Sequence, residues 1–386
     1  MPSEHNSKPA GRSIVLVNQS SGYLTVDIAN AFAAAYERVT LVAGDLRENG
    51  RPLDPRVRVR RIAAYDRRSK TRRLLTWLRG TLGILWILLV RERRGEVLYF
   101  TNPPMAYLLA GVMRRPFSVV VYDIYPEALA SVGIRTGNPL YRWWAARNRR
   151  LFRRARCVFT LSESMRVLLE RYAAPEKIRV VHNWAALETR TPLPKTDNPF
   201  VREHGLEGRF TVLYSGNIGF THSVEQLVAL AARMSGDDRF RFVIVGEGGR
   251  KAALQEQARR EGLHNCLFLT WQPAATLPHS LAAADVAVVT LSDGASGVSV
   301  PSKTYNLMAA GAPLLCIASP QTELSRLVET YDNGRCFRRD DLQGMQDYLE
   351  KLASDPARCA ELRRNSLRAS RDFTPENARI YVSSLY

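Results

Sequence analysis

The sequence predicts an α/β fold with two parallel-sheet domains, and three observations predict it. Apolar runs alternate with longer amphipathic stretches in both halves of the chain, which is the pattern of βα units feeding a parallel sheet. At 386 residues the chain exceeds the size at which one hydrophobic core stops growing, ~250–300 residues. Between the halves, residues 188–199 are polar, carry three prolines and show no periodicity, so they read as a linker.

The elements follow in order. In the first half, strands are expected at 13–17, 38–43, 57–62, 97–100, 118–122, 157–161 and 178–181, with helices at 24–36, 74–91, 105–113, 139–154 and 162–171. Ser162 suits the cap of the last of these helices. In the second half, strands are expected at 210–215, 240–245, 267–269, 286–290 and 313–317. Helices are expected there at 224–234, 251–261, 277–284, 304–310, 323–329 and 342–353. The domains then run over 1–190 and 209–370, joined by 191–208, and residues 371–386 form a terminal amphipathic helix.

Composition narrows the class. With 46% hydrophobic and 24% charged residues the chain is globular rather than disordered. Its five cysteines are scattered without Cys-x-x-Cys spacing, which argues against a disulfide framework or structural zinc and fits a reducing cytosolic compartment. The amino terminus lacks the apolar core of a signal peptide. The longest apolar run, 80–90, is shorter than the ~20 residues of a membrane span and reads as a buried or interfacial helix.

The net charge of +18 is concentrated in 51–73 and in 142–156, the latter with seven arginines and no acid. Such blocks suit an anionic partner: acidic lipid headgroups or a pyrophosphate-linked substrate. A solvated basic face is the plain alternative. Nucleic acid ranks lower, because no recognition motif accompanies the charge. Trp77, Trp86, Tyr141, Trp143 and Trp144 border the basic runs and resemble a membrane-interface belt.

The chemistry-bearing segments are few. In Ser215-Gly-Asn-Ile-Gly219, glycine lets a phosphate approach the backbone, and the following helix points N–H groups at it. A tight βα turn has the same signature. Val243 to Gly249 is again a strand followed by glycines, Gly246 among them, and suits a turn at positive φ. Pro301 breaks the chain, Ser302 is placed to cap, and Lys303 opens a helix of small residues. A lysine there suits a diphosphate that must leave as an anion. Asp123 and Glu127 follow a buried strand and belong at its carboxyl edge, where open α/β sheets bind ligands. Either suits orientation or deprotonation of an acceptor hydroxyl, and Glu127 equally suits a helix cap.

Taken together, Tyr214-Ser-Gly-Asn-Ile-Gly219, Val300-Pro-Ser-Lys-x-Tyr305 and Met308-Ala-Ala-Gly-x-Pro313 resemble the donor half of GT4-type, GT-B glycosyltransferases. The resemblance is to the colanic-acid-transferase-like bacterial branch that builds surface polysaccharides. Tyr122-Asp-Ile-Tyr-Pro-Glu127 is similar to that branch's Asp-Leu-Trp-Pro-Glu turn, and Val181-His-Asn-Trp-Ala185 to its Pro-Asn-Trp segment. The matches keep their order over nearly the whole chain.

The resemblance implies two Rossmann-like domains with parallel sheets facing across a cleft, the C-terminal helix crossing back to the first domain. It implies a nucleotide-sugar donor, UDP-linked, bound as a substrate with no cofactor and no metal; no Asp-x-Asp occurs in the chain. It further implies a lipid-linked (polyprenyl-diphosphate) saccharide acceptor and retention at the anomeric carbon. Implied donor contacts are Gly22 in the loop after the first strand, Ser215, Gly216, Asn217, Gly219, His222, Gly246, Glu247, Pro301, Ser302, Lys303 and Asn306. Implied catalytic residues are Asp123, Glu127 and Lys303.

The chain departs from the family where Glu-x7-Glu is usual, having Val298 and Asn306 instead. Asn306 is then expected to bond a ribose hydroxyl. The basic residues of the first phosphate loop are also missing, with Asn217, Thr221 and His222 nearby. The basic, aromatic helices at 70–91 and 139–156 are expected to dock the enzyme on the anionic cytoplasmic face of the inner membrane. A sugar-nucleotide epimerase of the same fold and a non-catalytic polyanion-binding scaffold are the alternatives.

Overall fold

The computed structural model describes residues 11–48, 51–66, 68–134, 136–187, 193–219, 222–291 and 301–386. The chain divides into two compact units. One runs to Asn183 and takes in Pro375–Tyr386, and the other is Trp184–Thr374.

The first unit is built on strands β1 (Ser13–Val17), β3 (Arg38–Ala43), β5 (Val57–Arg61), β6 (Glu96–Phe100), β7 (Phe117–Val121), β8 (Val158–Thr160) and β9 (Ile178–Val180). Every neighbouring pair is parallel, in the order β5-β3-β1-β6-β7-β8-β9. Counted within the sheet this is 3-2-1-4-5-6-7, a doubly wound sheet whose order reverses beside β1. A separate pair, β2 (Ser20–Ser21) with β4 (Asp45–Leu46), sits in the loops after β1 and β3. The inner strands β6 and β7 are buried throughout, which is why they read as largely apolar runs. Edge strand β5, VRVRR, carries its arginines where no further strand pairs.

Helices α1 (Tyr23–Ala35), α2 (Lys70–Trp86), α3 (Pro139–Arg154) and α4 (Glu163–Leu169) complete the unit. α2 runs on through a π-helical turn, Ile87–Arg91, so the apolar run of residues 80–90 belongs to a longer element. Thr71–Arg91 is long and apolar enough to cross a membrane by length and composition, which corrects the reading of that run as too short.

In the second unit, β10 (Phe210–Ser215), β11 (Phe240–Val245), β12 (Cys266–Leu269), β13 (Val286–Thr290), β14 (Leu314–Ile317) and β15 (Gly334–Phe337) form a six-stranded sheet. Its order is β12-β11-β10-β13-β14-β15, again all parallel. Around it lie α5 (Pro199–Glu203), α6 (Glu225–Arg233), α7 (Lys251–Arg260), α8 (Leu277–Ala282), α9 (Lys303–Ala309), α10 (Glu323–Tyr331), α11 (Leu342–Ser354) and α12 (Pro356–Ser370). The chain then returns to the first unit with α13 (Ala378–Ser383). There Tyr381 packs on Phe159 with ring centroids 4.7 Å apart, and Arg156 donates to the Leu385 carbonyl at 3.0 Å.

Three expectations change. Residues 105–113 form a 3-10 turn at Ala106–Gly111 rather than an α-helix. Strand β15 and helix α12 are additions. The segment read as a connector, 191–208, is largely part of the second unit: Asn198 caps α5 and donates to the His279 carbonyl at 2.9 Å. Phe200, Val201 and Leu206 are buried behind it. Apolar side chains at the start of α5 outweigh the three prolines that suggested an open linker.

Candidate functional site

In the second unit the candidate residues gather at the carboxyl edge of the sheet, beside β10 and β13, where the strand order reverses. β10 delivers Tyr214 and Ser215 into the turn Gly216–Gly219. Tyr214 is fully buried, and its hydroxyl donates to the Asn217 carbonyl at 2.8 Å, bracing the turn from below. The turn is tied to its neighbour by Gly216 N–H to Val245 O at 3.0 Å and Ile218 N–H to Glu247 O at 2.9 Å.

That close pairing explains two of the glycines. Gly246 and Gly248 have φ of +144° and +159°, and a Cβ on them would lie 1.9 Å from Gly216 O and 2.3 Å from Ile218 O. Any side chain would push the two loops apart. Gly246 therefore shapes the turn from behind. Glu247, expected at the donor, has its carboxylate in an ion pair with Lys251 at 2.7 Å.

Lys303 is the centre of the arrangement. It opens α9, and its Nζ lies 3.8 Å from the centroid of the Tyr214 ring. A Cβ on Gly216 would stand 3.2 Å from the same Nζ. The ammonium is buried and makes no hydrogen bond among the described residues. Burial brings its pKa down to about 7, with only the nearby Cys316 acting the other way. His222 follows the same turn, and burial first, then the Lys303 charge, hold its pKa below the ordinary histidine value. Its imidazole is therefore neutral beside the lysine.

One sequence expectation fails at this edge. Ser302 does not cap α9 with its side chain; the turn closes through Thr304 N–H to the Pro301 carbonyl at 3.1 Å. Asn306 is held by the backbone. Its Oδ1 accepts from the backbone N–H groups of Ala186 and Leu187, at 2.8 and 3.2 Å, so it fastens α9 to the start of the unit. Thr221, Val298 and Val300 lie outside the described residues.

The first unit assembles its own candidates at the carboxyl edge of its sheet. Gly22 stands at the N-cap of α1 with no side-chain cap, and a Cβ there would meet nothing within 4 Å. Asn18 and Gln19, just before it, are buried with Oδ1 and Oε1 unpaired. Asp123 follows β7, and its N–H and that of Tyr122 donate to Thr101 Oγ1 at 3.3 and 3.1 Å. Its carboxyl group stays open to water by surface area. Protein nevertheless crowds it closely enough that lost hydration raises its pKa.

Glu127 is different. Its Oε1 accepts from the Tyr172 hydroxyl at 2.6 Å, the Tyr141 hydroxyl at 3.3 Å and the Arg171 guanidinium at 3.4 Å. Through Oε1 it ties the loop after β7 to α3 and to the segment after α4, while its Oε2 is buried with no hydrogen-bond partner among the described residues. Sequence reasoning missed Tyr214 as the platform of Lys303, and it missed Arg73 with the aromatic stacks around it. The available signal for Tyr214 was its place at the end of β10, on the same strand face as the buried Val212.

Fold and site together define a two-unit α/β protein whose second unit sets a buried lysine ammonium beside a glycine turn. Known proteins resemble it in both units. A family model described as Glycosyl transferases group 1 matches residues 197–369, and one described as Glycosyl transferase 4-like domain matches 22–184. A Pseudomonas aeruginosa protein named as a glycosyltransferase, WbjE, is 28% identical over 246 residues, 62% of this chain and 61% of its own. An Escherichia coli K12 protein named as a colanic acid biosynthesis glycosyl transferase, WcaI, is 33% identical over 177 residues, 45% of this chain and 43% of its own. The matches thus span less than two thirds of either relative. In fold, the crystal structure of Anabaena Alr3699/HepE in complex with UDP aligns with TM-score 0.72 at 16% identity, over 97% of this chain and 99% of that one. The chain belongs to the GT4-type glycosyltransferases of the GT-B fold.

Proposed function

We propose that the chain moves a sugar from a UDP-linked donor to a hydroxyl group of a lipid-linked saccharide, with retention and without a metal, in polysaccharide synthesis. The observation that carries the reading is the buried Lys303 ammonium, set against the Gly216 turn with no acceptor among the described residues. A buried cation without a counter-charge is costly, and a diphosphate on the turn supplies that charge. Negative charge grows on the diphosphate as the glycosidic bond breaks. Lys303 therefore stabilises the transition state more than the bound donor. The neutral His222 imidazole suits hydrogen bonding to the sugar or phosphate. In the first unit, Asp123 orients the attacking hydroxyl and accepts its proton, a task that its raised pKa favours. The UDP held by HepE and the biosynthetic role in the name of WcaI support the donor class and the pathway class.

The reading includes a peripheral position on an anionic membrane at its cytoplasmic face. α2 exposes Leu74, Leu75, Leu78, Leu82 and Trp86, while Ile84, Ile87 and Leu88 are buried in the unit. A helix packed along one edge and apolar along the other suits lying in the interface better than crossing it. Trp143 and the arginines of α3 extend the same chemistry.

A thermal-shift panel of nucleotides tests the core of the proposal. Binding to the folded state stabilises by mass action, about 2.7 kcal/mol at a hundred times Kd. UDP should raise Tm in the wild type and fail to do so in Lys303→Ala. A wild-type protein that no nucleotide stabilises would instead support a scaffold role.

A further inference from the structure

The first unit holds another cation without a counter-charge. Part of the basic run that leads into α2 is paired locally: Arg68 and Arg72 share Asp66, at 2.7 and 3.6 Å, and Arg56 pairs with Asp54 at 2.6 Å. Arg73 has no acidic partner among the described residues. Its guanidinium lies 5.5 Å from the centroid of a Trp77 ring. That ring stacks on Tyr65 at 5.8 Å with the planes 8° apart. The Arg73 charge also acts on the Tyr125 phenol, as do Asp123 and Tyr65. Tyr125 in turn stacks on Trp144 at 5.4 Å, the planes 17° apart. Arginine, two aromatic stacks and the Asp123 carboxylate therefore form one cluster.

The cluster is held from below. Gln19 Nε2 donates to the carbonyls of Ala63 and Thr76, at 2.9 and 2.8 Å, fixing α2 to the loop after β1. Trp144 Nε1 donates to the Tyr107 hydroxyl at 2.6 Å. From Arg73 the exposed residues Leu74, Leu78, Leu82 and Trp86 run along α2 at four-residue spacing, a row about 18 Å long at 1.5 Å per residue. A guanidinium at one end and an apolar row leading away from it match a molecule with an anionic head and a hydrocarbon tail.

We propose that Arg73 determines acceptor specificity by binding the phosphate of an isoprenoid phosphate or diphosphate, whose chain lies on the aromatic stacks and the Leu74–Trp86 row. The assignment rests on the transferase reading above and names the acceptor's anchor. A guanidinium matches phosphate with paired N–H donors, and no acid among the described residues pairs with that of Arg73. A neutral glycolipid head would leave Arg73 unpaired. Free diphosphate would leave the apolar row bare.

The test titrates farnesyl diphosphate, farnesol and inorganic diphosphate into the full chain, following tryptophan emission. Farnesyl diphosphate should bind at least about tenfold more tightly than either fragment. Arg73→Gln should weaken farnesyl diphosphate binding about tenfold, within the range for a charge-assisted hydrogen bond, and leave farnesol binding unchanged. Arg73→Lys, which keeps the charge and loses the fork, should fall between. Equal binding of farnesyl diphosphate by Arg73→Gln and wild type overturns the assignment, as does inorganic diphosphate binding as tightly as the isoprenoid. The UDP-induced rise in Tm is measured on the same samples. If it persists while isoprenoid binding is absent, only the acceptor assignment fails; if it is absent from the wild type, the donor reading fails.

Discussion

The Lys303 ammonium lies 3.8 Å from the ring centroid of Tyr214, and no hydrogen-bond acceptor among the described residues reaches it. A ring face attracts a cation by about 0.5–2 kcal/mol, which offsets only part of the cost of burial. Burial brings the pKa down to about 7, so the lysine is partly neutral near pH 7.

Lys303 should give the free protein a distinctive pH dependence. Its folded pKa, about 7, is below the ordinary value of 10.5. Between those values the unfolded chain binds more protons, so this group makes stability rise with pH across the window and leaves it flat below pH 7. Each pH unit of the displacement is worth about 1.4 kcal/mol. Lys303→Met should therefore be more stable than wild type near pH 7, with the advantage shrinking toward pH 10. Equal Tm differences at pH 7 and pH 9.5 would show that the lysine is not desolvated.

Donor binding should take up protons. A diphosphate beside Lys303 favours the charged form and raises its pKa, so UDP affinity should fall as pH rises above 7. Calorimetry in buffers of different ionisation enthalpy should report net proton uptake near pH 8. Uptake should vanish in Lys303→Met, and a wild type without it would remove Lys303 from the phosphate site.

Legibility in the sequence tracked how local each cause is. Strands β10, β11 and β13 were readable because parallel strands buried on both faces are predominantly apolar. Helix α12 was not, because the side it buries is Cys359, Leu362, Ser366 and Ala369, a stripe with little hydropathy. Gly216 and Lys303 were readable because a turn and a helix start are local features. The partners of Asn306 are some 120 residues away, and two of the donors to Glu127 lie 44 and 45 residues on. No local pattern marks either. The fold alone shows which backbone and side-chain groups reach them.

Gly248 tests the paired loops. A Cβ there would lie 2.3 Å from the Ile218 carbonyl oxygen, a backbone atom that cannot step aside alone. Gly248→Ala should cost on the order of 2 kcal/mol, lowering Tm by about 5 °C, and should weaken UDP through the displaced Gly216–Gly219 turn. An unchanged Tm would mean the two loops are not packed as described.

The two carboxylates after β7 should separate in kinetics. Asp123→Asn removes an open proton acceptor and should lower kcat by about a hundredfold or more. Glu127→Gln keeps one oxygen for Tyr172 and should change kcat less than threefold while lowering Tm. The reverse pattern would return the acceptor role to Glu127.

The exposed row of α2 should govern membrane attachment. Burying apolar side chains contributes about 25 cal/mol per Å², and basic residues near an anionic surface add about 1 kcal/mol each. Leu78→Glu with Leu82→Glu removes two exposed leucines and adds two negative charges, without touching the buried Ile84, Ile87 and Leu88 that hold the helix to its unit. In flotation with vesicles containing anionic lipid, wild type should rise with the lipid and the double variant should stay below. Far-UV dichroism should be unchanged, since neither side chain belongs to the core. High salt should release the wild type only partly, because the leucines act independently of charge. Complete release by salt would assign attachment to the arginines alone, and equal flotation of the variant would place the membrane contact elsewhere.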